Sequence, residues 1–207
     1  MSEHKDICSA LFTQPCSTEQ ARPAGGRLLV AEPFMDETIF SHSVVSLLDY
    51  EPEGGAMGVV LNRQSHSMLT DLIDDLEIEY DMPVFCGGPL AMDRVFFIHT
   101  LGSDIIPGAR EYMPGLYIGG DFDAMIEYIN SGYRTDGVVR FFVGYSSWDR
   151  SQLESEIAEG AWALTDAPAD GGTLLSGSGD SVWHRTVRSM GNEYRSWRLV
   201  PRHVFAN

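Results

Sequence analysis

The stretch Phe141 to Ile157 reads Phe-Phe-Val-Gly-Tyr-Ser-Ser-Trp-Asp-Arg-Ser-Gln-Leu-Glu-Ser-Glu-Ile, and its reading decides the fold. An apolar run ends on Gly144, aromatic residues flank a polar turn, and a helix then begins with its own capping chemistry. Asp149 stands three residues before Gln152 and Ser151 three before Glu154, two arrangements in which a side chain can satisfy a first-turn N–H. Leu153, Ile157 and Ala161 fall at the spacing of one buried helix face. The segment reads as a buried strand handing over to an amphipathic helix through a tight, aromatic-lined corner. Corners of that kind are where α/β proteins place ligand sites.

Working outward, Arg27–Glu32 is a short β-like run stopped by Pro33. Asp36–Phe40 has the length of one helical turn. Ser43–Tyr50 and Ala56–Leu61 read as two strands of a hairpin, joined by the turn formers Glu51-Pro52-Glu53-Gly54-Gly55. Met68, Leu69, Leu72, Ile73 and Leu76 carry helical periodicity, so Ser67–Leu76 is expected to be a helix capped by Ser67. Val84–Cys86, Arg94–Thr100 and Leu116–Ile118 are strand candidates. Asp121–Asn130 reads as a helix opened by Asp121 and closed near Gly132. Asp136-Gly137 turns the chain into Val138–Val143. Trp162–Leu164 and Thr173–Leu175 are short apolar runs, and Asp180–Met190 is a last helix stopped by Gly191. Early hairpins among later crossovers argue for a mixed sheet flanked by helices, an α/β (α+β) single domain, and not a clean doubly wound fold.

The organisation expected is a flexible N-terminal leader over 1–25, one domain over 26–191, and a basic C-terminal extension over 192–207 docked on that domain. At 207 residues a single core is the expected solution. The formal net charge of −16 weighs against polyanionic partners, because a strongly acidic chain repels phosphates through its own field. The charge is uneven: Arg185, Arg188, Arg195, Arg198 and Arg202 gather near the C-terminus, whereas Asp71–Asp81 holds carboxylates and no base. A solvated acidic edge and a tail docked on its own domain account for this better than a nucleic-acid arm. The sequence has no apolar run of about 18 residues, so no membrane span is expected. The start of the chain lacks the basic-then-apolar order of a secretion signal, and a cytoplasmic location is expected. Cys8, Cys16 and Cys86 lack zinc-type spacing and read as reduced thiols.

Several constellations invite chemistry. Gly87-Gly88-Pro89 follows a strand, and glycines let backbone N–H groups approach an anion. Pro89 lacks an N–H, however, and the chain has neither GxGxxG nor GxxxxGK, its sole lysine being Lys5. A structural turn is the better reading. Asn62 ends an apolar run as either a ligand contact or a turn cap. Among His4, His42, His66, His99, His184 and His203 no HExxH or His–Cys grouping occurs, so no metal is expected. His99 closes an apolar strand as either a reactive group or a hydrogen-bonded core histidine. Ser176-Gly177-Ser178-Gly179 suits a loop before the last helix. No acid, base and nucleophile assemble, and no cofactor motif is present. Tyr145, Trp148, Gln152 and Trp162 cluster at the corner, where aromatic packing competes with a small pocket bounded by Gly144, Trp148 and the Gly87-Gly88-Pro89 turn and closed by Asn62.

Taken in order, Gly26-Arg27-Leu28-Leu29-Val30-Ala31-Glu32-Pro33, Gly58-Val59-Val60-Leu61-Asn62-Arg63, Val84-Phe85-Cys86-Gly87-Gly88-Pro89, the strand ending in His99, and Gly144-Tyr145-Ser146-Ser147-Trp148 followed by Gln152-Leu153-Glu154 and Glu156 resemble the YqgE/AlgH family. The resemblance runs from about Gly26 to Gly191. It implies an α/β domain with a strongly bent, partly barrel-like mixed sheet and peripheral helices, in a cytoplasmic bacterial protein. It further implies a regulator of transcription, a role the family carries from genetic association, and supplies no catalytic residue. This chain departs from the pattern around the tryptophan, where Ser146-Ser147 and Asp149-Arg150-Ser151 replace the family's small residues.

The reading taken is a non-enzymatic regulatory or interaction protein working through a protein partner or small ligand, with no direct contact to nucleic acid. The alternative is an enzyme or small-molecule binder using a cleft between the Gly87-Gly88-Pro89 turn and the Gly144–Trp148 corner. The candidate site residues are Asn62, Gly87, Gly88, Pro89, His99, Gly144, Tyr145, Trp148 and Gln152.

Overall fold

The computed structural model describes residues 22–35, 39–74, 76, 78 and 81–200. Ten strands build the sheet: β1 Arg27–Ala31, β2 Val44–Glu51, β3 Gly55–Val60, β4 Gln64–Met68, β5 Pro83–Cys86, β6 Leu90–His99, β7 Arg110–Met113, β8 Leu116–Ile118, β9 Val139–Trp148 and β10 Trp162–Asp166. The main path runs β10-β1-β2-β3-β9-β6-β8-β7, with β5 beside β9 and β4 beside β5. Every pairing is antiparallel except β5 on β9. The helices are α1 Phe122–Asn130, α2 Gln152–Ala158, α3 Gly171–Leu174 and α4 Gly179–Ser189. The result is one mixed α/β domain whose curled sheet forms a half-barrel.

The quoted stretch is the joint of this sheet, and here the structure corrects the sequence reading. The strand does not stop at Gly144; it runs on to Trp148. Its first half lies between β5 and β6, with Phe141 opposite both Val84 and Phe97. Its second half pairs with β3, Ala56 opposite Trp148 and Gly58 opposite Ser146. The change of partner falls at Gly144, whose φ of 70° belongs to the left-handed region that glycine tolerates. The kink resets the side-chain alternation. Phe142 and Tyr145, three residues apart, both pack on the same apolar cluster, although unbroken pleating would send them to opposite faces. One strand thus serves three cores: Phe141 and Val143 face the cluster under α1, Phe142 and Tyr145 the central one, and Trp148 the one under α2.

The hairpin β2–β3 and the helices α1 and α4 form where the sequence places them. Asp121 accepts a hydrogen bond from the Ala124 amide at 3.0 Å and opens α1, which buries Met125 and Ile129. At α2 the Asp149–Gln152 arrangement forms, the Asp149 amide donating to Gln152 Oε1 at 3.0 Å. The Ser151–Glu154 one does not, because Glu154 accepts a hydrogen bond from the Tyr50 hydroxyl. Thr173–Leu175, a short apolar run in the sequence, lies in and just after α3, capped by Asp170.

Ser67–Leu76 is not a helix. Its start belongs to β4, followed by a single 3₁₀ turn over Leu69–Asp71, and only Leu69 of that turn is buried. The reason is tertiary: β5 offers an unpaired edge, and Gln64 and Met68 register against Phe85 and Pro83. Pairing along that edge outweighs a weak helical propensity. The helical turn expected at Asp36–Phe40 lies across 36–38, outside the described residues, as does nearly all of the 1–25 leader. Beyond α4, Trp197 is buried and stacks parallel to Trp183 with ring centroids 6.4 Å apart. Residues 201–207 lie outside the description.

Candidate functional site

Beside the joint lies a cleft of about 440 Å³. Pro89 and Leu90 form one lip, Ser146, Ser147 and Trp148 the floor, Gln152 and Glu156 of α2 the far wall, and Phe40, Met35 and Trp162 the apolar end. The position of each group follows from the chain. The double glycine lets β5 and β6 meet over β9: a Cβ on Gly87 would stand 2.3 Å from Gly144 O, and one on Gly88 2.2 Å from the Tyr145 carbonyl. That close approach puts Pro89 and Leu90 against the second half of β9, with Leu90 opposite Tyr145. Leu153 and Ile157 anchor α2 on the core below, so Gln152 and Glu156, one turn apart, face the cleft.

Glu156 organises the polar side. Its Oε2 accepts the indole N–H of Trp148 at 2.8 Å and that of Trp162 at 2.8 Å, and its Oε1 accepts the Gln152 amide N–H at 2.8 Å. The two indoles stand nearly perpendicular, 6.0 Å between centroids, and Phe40 meets Trp162 edge-on at 5.5 Å. The carboxylate is held by three neutral donors. Arg150, the base on the preceding loop, pairs instead with Glu53. The cleft hydroxyls are committed to main-chain carbonyls: Ser146 Oγ donates to Gly87 O at 3.1 Å and Ser147 Oγ to Ala56 O at 3.2 Å.

Of the residues singled out in the sequence, Pro89, Trp148 and Gln152 come together in this cleft. Gly87, Gly88, Gly144 and Tyr145 lie beneath it as the backbone contact that shapes it. Asn62 does not close it. Asn62 is buried, accepts the Val44 amide through Oδ1 at 2.9 Å and donates through Nδ2 to His42 O and Gly179 O, both at 2.9 Å. It ties β2, β3 and the start of α4 together. His99 also sits elsewhere, fully buried, with Nε2 3.1 Å from Gly119 O and Nδ1 accepting the Leu101 amide at 3.3 Å. That pattern fixes the proton on Nε2, and burial pushes the imidazole pKa below its ordinary value.

Two side chains escaped the site reading. Phe40 carried no periodic signal of its own. Glu156 lies one helical turn after Gln152, and that spacing was the available clue. A third, Arg140, passed unnoticed inside an apolar strand. It is 5% exposed and donates to Leu61 O at 2.5 Å, Leu175 O at 2.6 Å and Gly177 O at 2.7 Å, with its guanidinium 4.0 Å above the Phe85 ring. Burial lowers its pKa to about 10, so it remains a cation at neutral pH. These three bonds clamp the start of β9 to the end of β3 and to the loop after α3. Among the described residues no helix is long and apolar enough to cross a membrane.

A half-barrel of mostly antiparallel strands, switched from one half to the other by a single kinked strand and braced there by an indole-bearing corner, defines the class. The AlgH-like family model (DUF179) matches residues 28–195, and the chain belongs to that family. It is 38% identical to a UPF0301 protein of Parabacteroides distasonis over 185 residues, 89% of this chain and 92% of that one. A UPF0301 protein of Bacteroides thetaiotaomicron is 36% identical, with 86% and 89% covered. Among solved structures, a Corynebacterium diphtheriae protein superposes with a TM-score of 0.71 at 22% identity, covering 87% of this chain and 94% of the other. The solution structure of the AlgH protein from Pseudomonas aeruginosa gives 0.63 at 25% identity, covering 84% and 93%.

Proposed function

We propose that this chain is a non-enzymatic interaction protein of the bacterial cytoplasm, and that it takes a segment of a protein partner into the cleft between Leu90 and Glu156. One observation carries the reading: an open, aromatic-ended cleft sits beside two exposed apolar side chains, Leu90 at 42% and Met92 at 47% exposure. Apolar surface of that kind next to a concave site with a few fixed polar groups suits capture of a side chain. The disposition of the polar groups supports binding over bond-making. Both serine hydroxyls donate to carbonyls, and His99 lies buried outside the cleft, so the nucleophile and base that acyl or phosphoryl transfer needs do not meet there. A regulatory role would then be exerted through the partner. Nucleic acid is not part of the proposal, since a net charge of −16 opposes it.

The test is capture from the native cytoplasm by the wild-type protein, by Leu90→Glu, and by Leu199→Glu as a control at a more exposed apolar site outside the cleft. A partner identified by mass spectrometry, then re-bound as a purified protein, should be retained by wild type and Leu199→Glu and lost from Leu90→Glu. Partners retained equally by all three would remove the cleft from the function.

A further inference from the structure

We infer that the Trp148 cleft selects a cationic head group on an apolar stem, presented as a lysine or arginine side chain by the partner polypeptide. The inference rests on the binding role proposed above and names its chemistry. Glu156 is half-buried, and its partners in the cleft are two indole N–H groups and one amide N–H. Neutral donors orient a carboxylate without neutralising it. A carboxylate offers about four acceptor positions, two on each oxygen. Oε2 accepts twice and Oε1 once, which leaves one position open on Oε1, the oxygen bound by the exposed Gln152.

The surroundings strengthen the attraction. Trp148 and Trp162 are 4% and 1% exposed, so low-dielectric material backs the carboxylate on one side and reduces the screening of its charge. Phe40, Met35 and Leu90 supply the apolar wall along which a methylene stem would lie. Arg150 points to Glu53, and no salt bridge to Glu156 forms among the described residues. The rest of the molecule adds the same sign, at −16 overall. An anionic or neutral polar head would meet an uncompensated carboxylate there, whereas an ammonium or guanidinium would complete it.

The experiment uses the full chain labelled with ¹⁵N, because the four indole N–H signals report by position. Trp148 and Trp162 donate to Glu156; Trp183, which donates to Ala31 O at 2.9 Å, lies with Trp197 in the central cluster and outside the cleft lining, and the two serve as the internal reference. The probes are n-butylammonium, its neutral counterpart n-butanol, and the blocked tripeptide acetyl-Ala-Lys-Ala-amide. Butylammonium should shift the Trp148 and Trp162 signals with about tenfold higher affinity than butanol and leave the reference pair in place, and the tripeptide should bind more tightly than the free amine. The gap between butylammonium and butanol should close in Glu156→Gln. It should persist in Gln152→Ala, which opens a second position on Oε1 without changing the charge. Should Glu156→Gln fail to fold, salt decides in the wild type: raising ionic strength from about 0.02 to 0.5 M should weaken the amine and not the alcohol.

Equal binding of amine and alcohol would overturn the cationic assignment while leaving the cleft as a binding site. A free amine that binds as tightly as the tripeptide would overturn the polypeptide source. Equal shifts of all four indoles would reduce the effect to the general acidic field and overturn the site. Failure of every probe, together with capture insensitive to Leu90→Glu, would remove the binding role itself.

Discussion

Removing the Trp148 ring tests the joint directly. The indole is 4% exposed and packs with Trp162, Phe40, Leu153 and Ile157. An aromatic side chain of this kind buries on the order of 150–250 Å². At about 25 cal/mol per Å² that corresponds to roughly 4–6 kcal/mol, an upper figure because the unfolded chain already buries part of it. Two effects adjust the number. The cleft lets water enter the space left behind, which lowers the cavity cost. Against this, Glu156 loses one donor while keeping Trp162 and Gln152, a loss of about 1 kcal/mol. Trp148→Ala should therefore cost about 3–5 kcal/mol, in the usual range for such truncations. Trp148→Phe keeps most of the ring and removes the N–H, and should cost about 1–2 kcal/mol. Urea unfolding followed by far-ultraviolet circular dichroism measures both, with an unchanged m-value required. A loss within about 0.5 kcal/mol for the alanine variant, the range of surface positions, would refute the packing account. A loss within about 0.5 kcal/mol for the phenylalanine variant would refute the role given to the Glu156 hydrogen bond.

Arg140→Met should destabilise by about 3–5 kcal/mol, because it orphans the buried carbonyls of Leu61 and Leu175 as well as the partly solvated one of Gly177. A loss below about 1 kcal/mol in the same urea assay would mean that water replaces the guanidinium at all three. His99 gives a pH dependence. Its pKa is lowered by burial from the ordinary 6.5, so below that value the unfolded state binds more protons than the folded one. Stability should hold steady above about pH 7 and fall as the pH drops below 6.5, and His99→Gln should flatten that part of the profile. An unchanged slope in the variant would assign the acid sensitivity to other groups.

How much of this was legible beforehand varies with the range of the interaction involved. The hairpin β2–β3, with Glu51-Pro52-Glu53-Gly54-Gly55 between its strands, is written in neighbouring residues, as are α1 with its Asp121 cap and α4. The Asp149–Gln152 contact was readable for the same reason. That Trp148, Pro89 and Gln152 lie near one another was legible because two lie four residues apart and the third follows a glycine pair set for a close backbone approach. Asn62 and His99 stood open between a site contact and a structural role because a polar residue at the end of an apolar strand is compatible with a cleft or with a buried carbonyl, and their hydrogen bonds place them in the structural one. Ser67–Leu76 misled for a related reason: its helical period was real, but β5 lay alongside.

Local order along the chain specified the β2–β3 hairpin, α1 and α4, the acidic balance, and the corner where strand meets helix. Only contacts across the fold make β9 continue through Gly144 and change partners there, since they come from β3, β5 and β6, which lie between 49 and 93 residues earlier in the chain than Trp148 at their nearest and farthest ends. Tertiary structure alone set Glu156 between two indoles, and Arg140 among three carbonyls. Periodicity reports which face of an element is buried; it carries no information about which distant groups will meet that face.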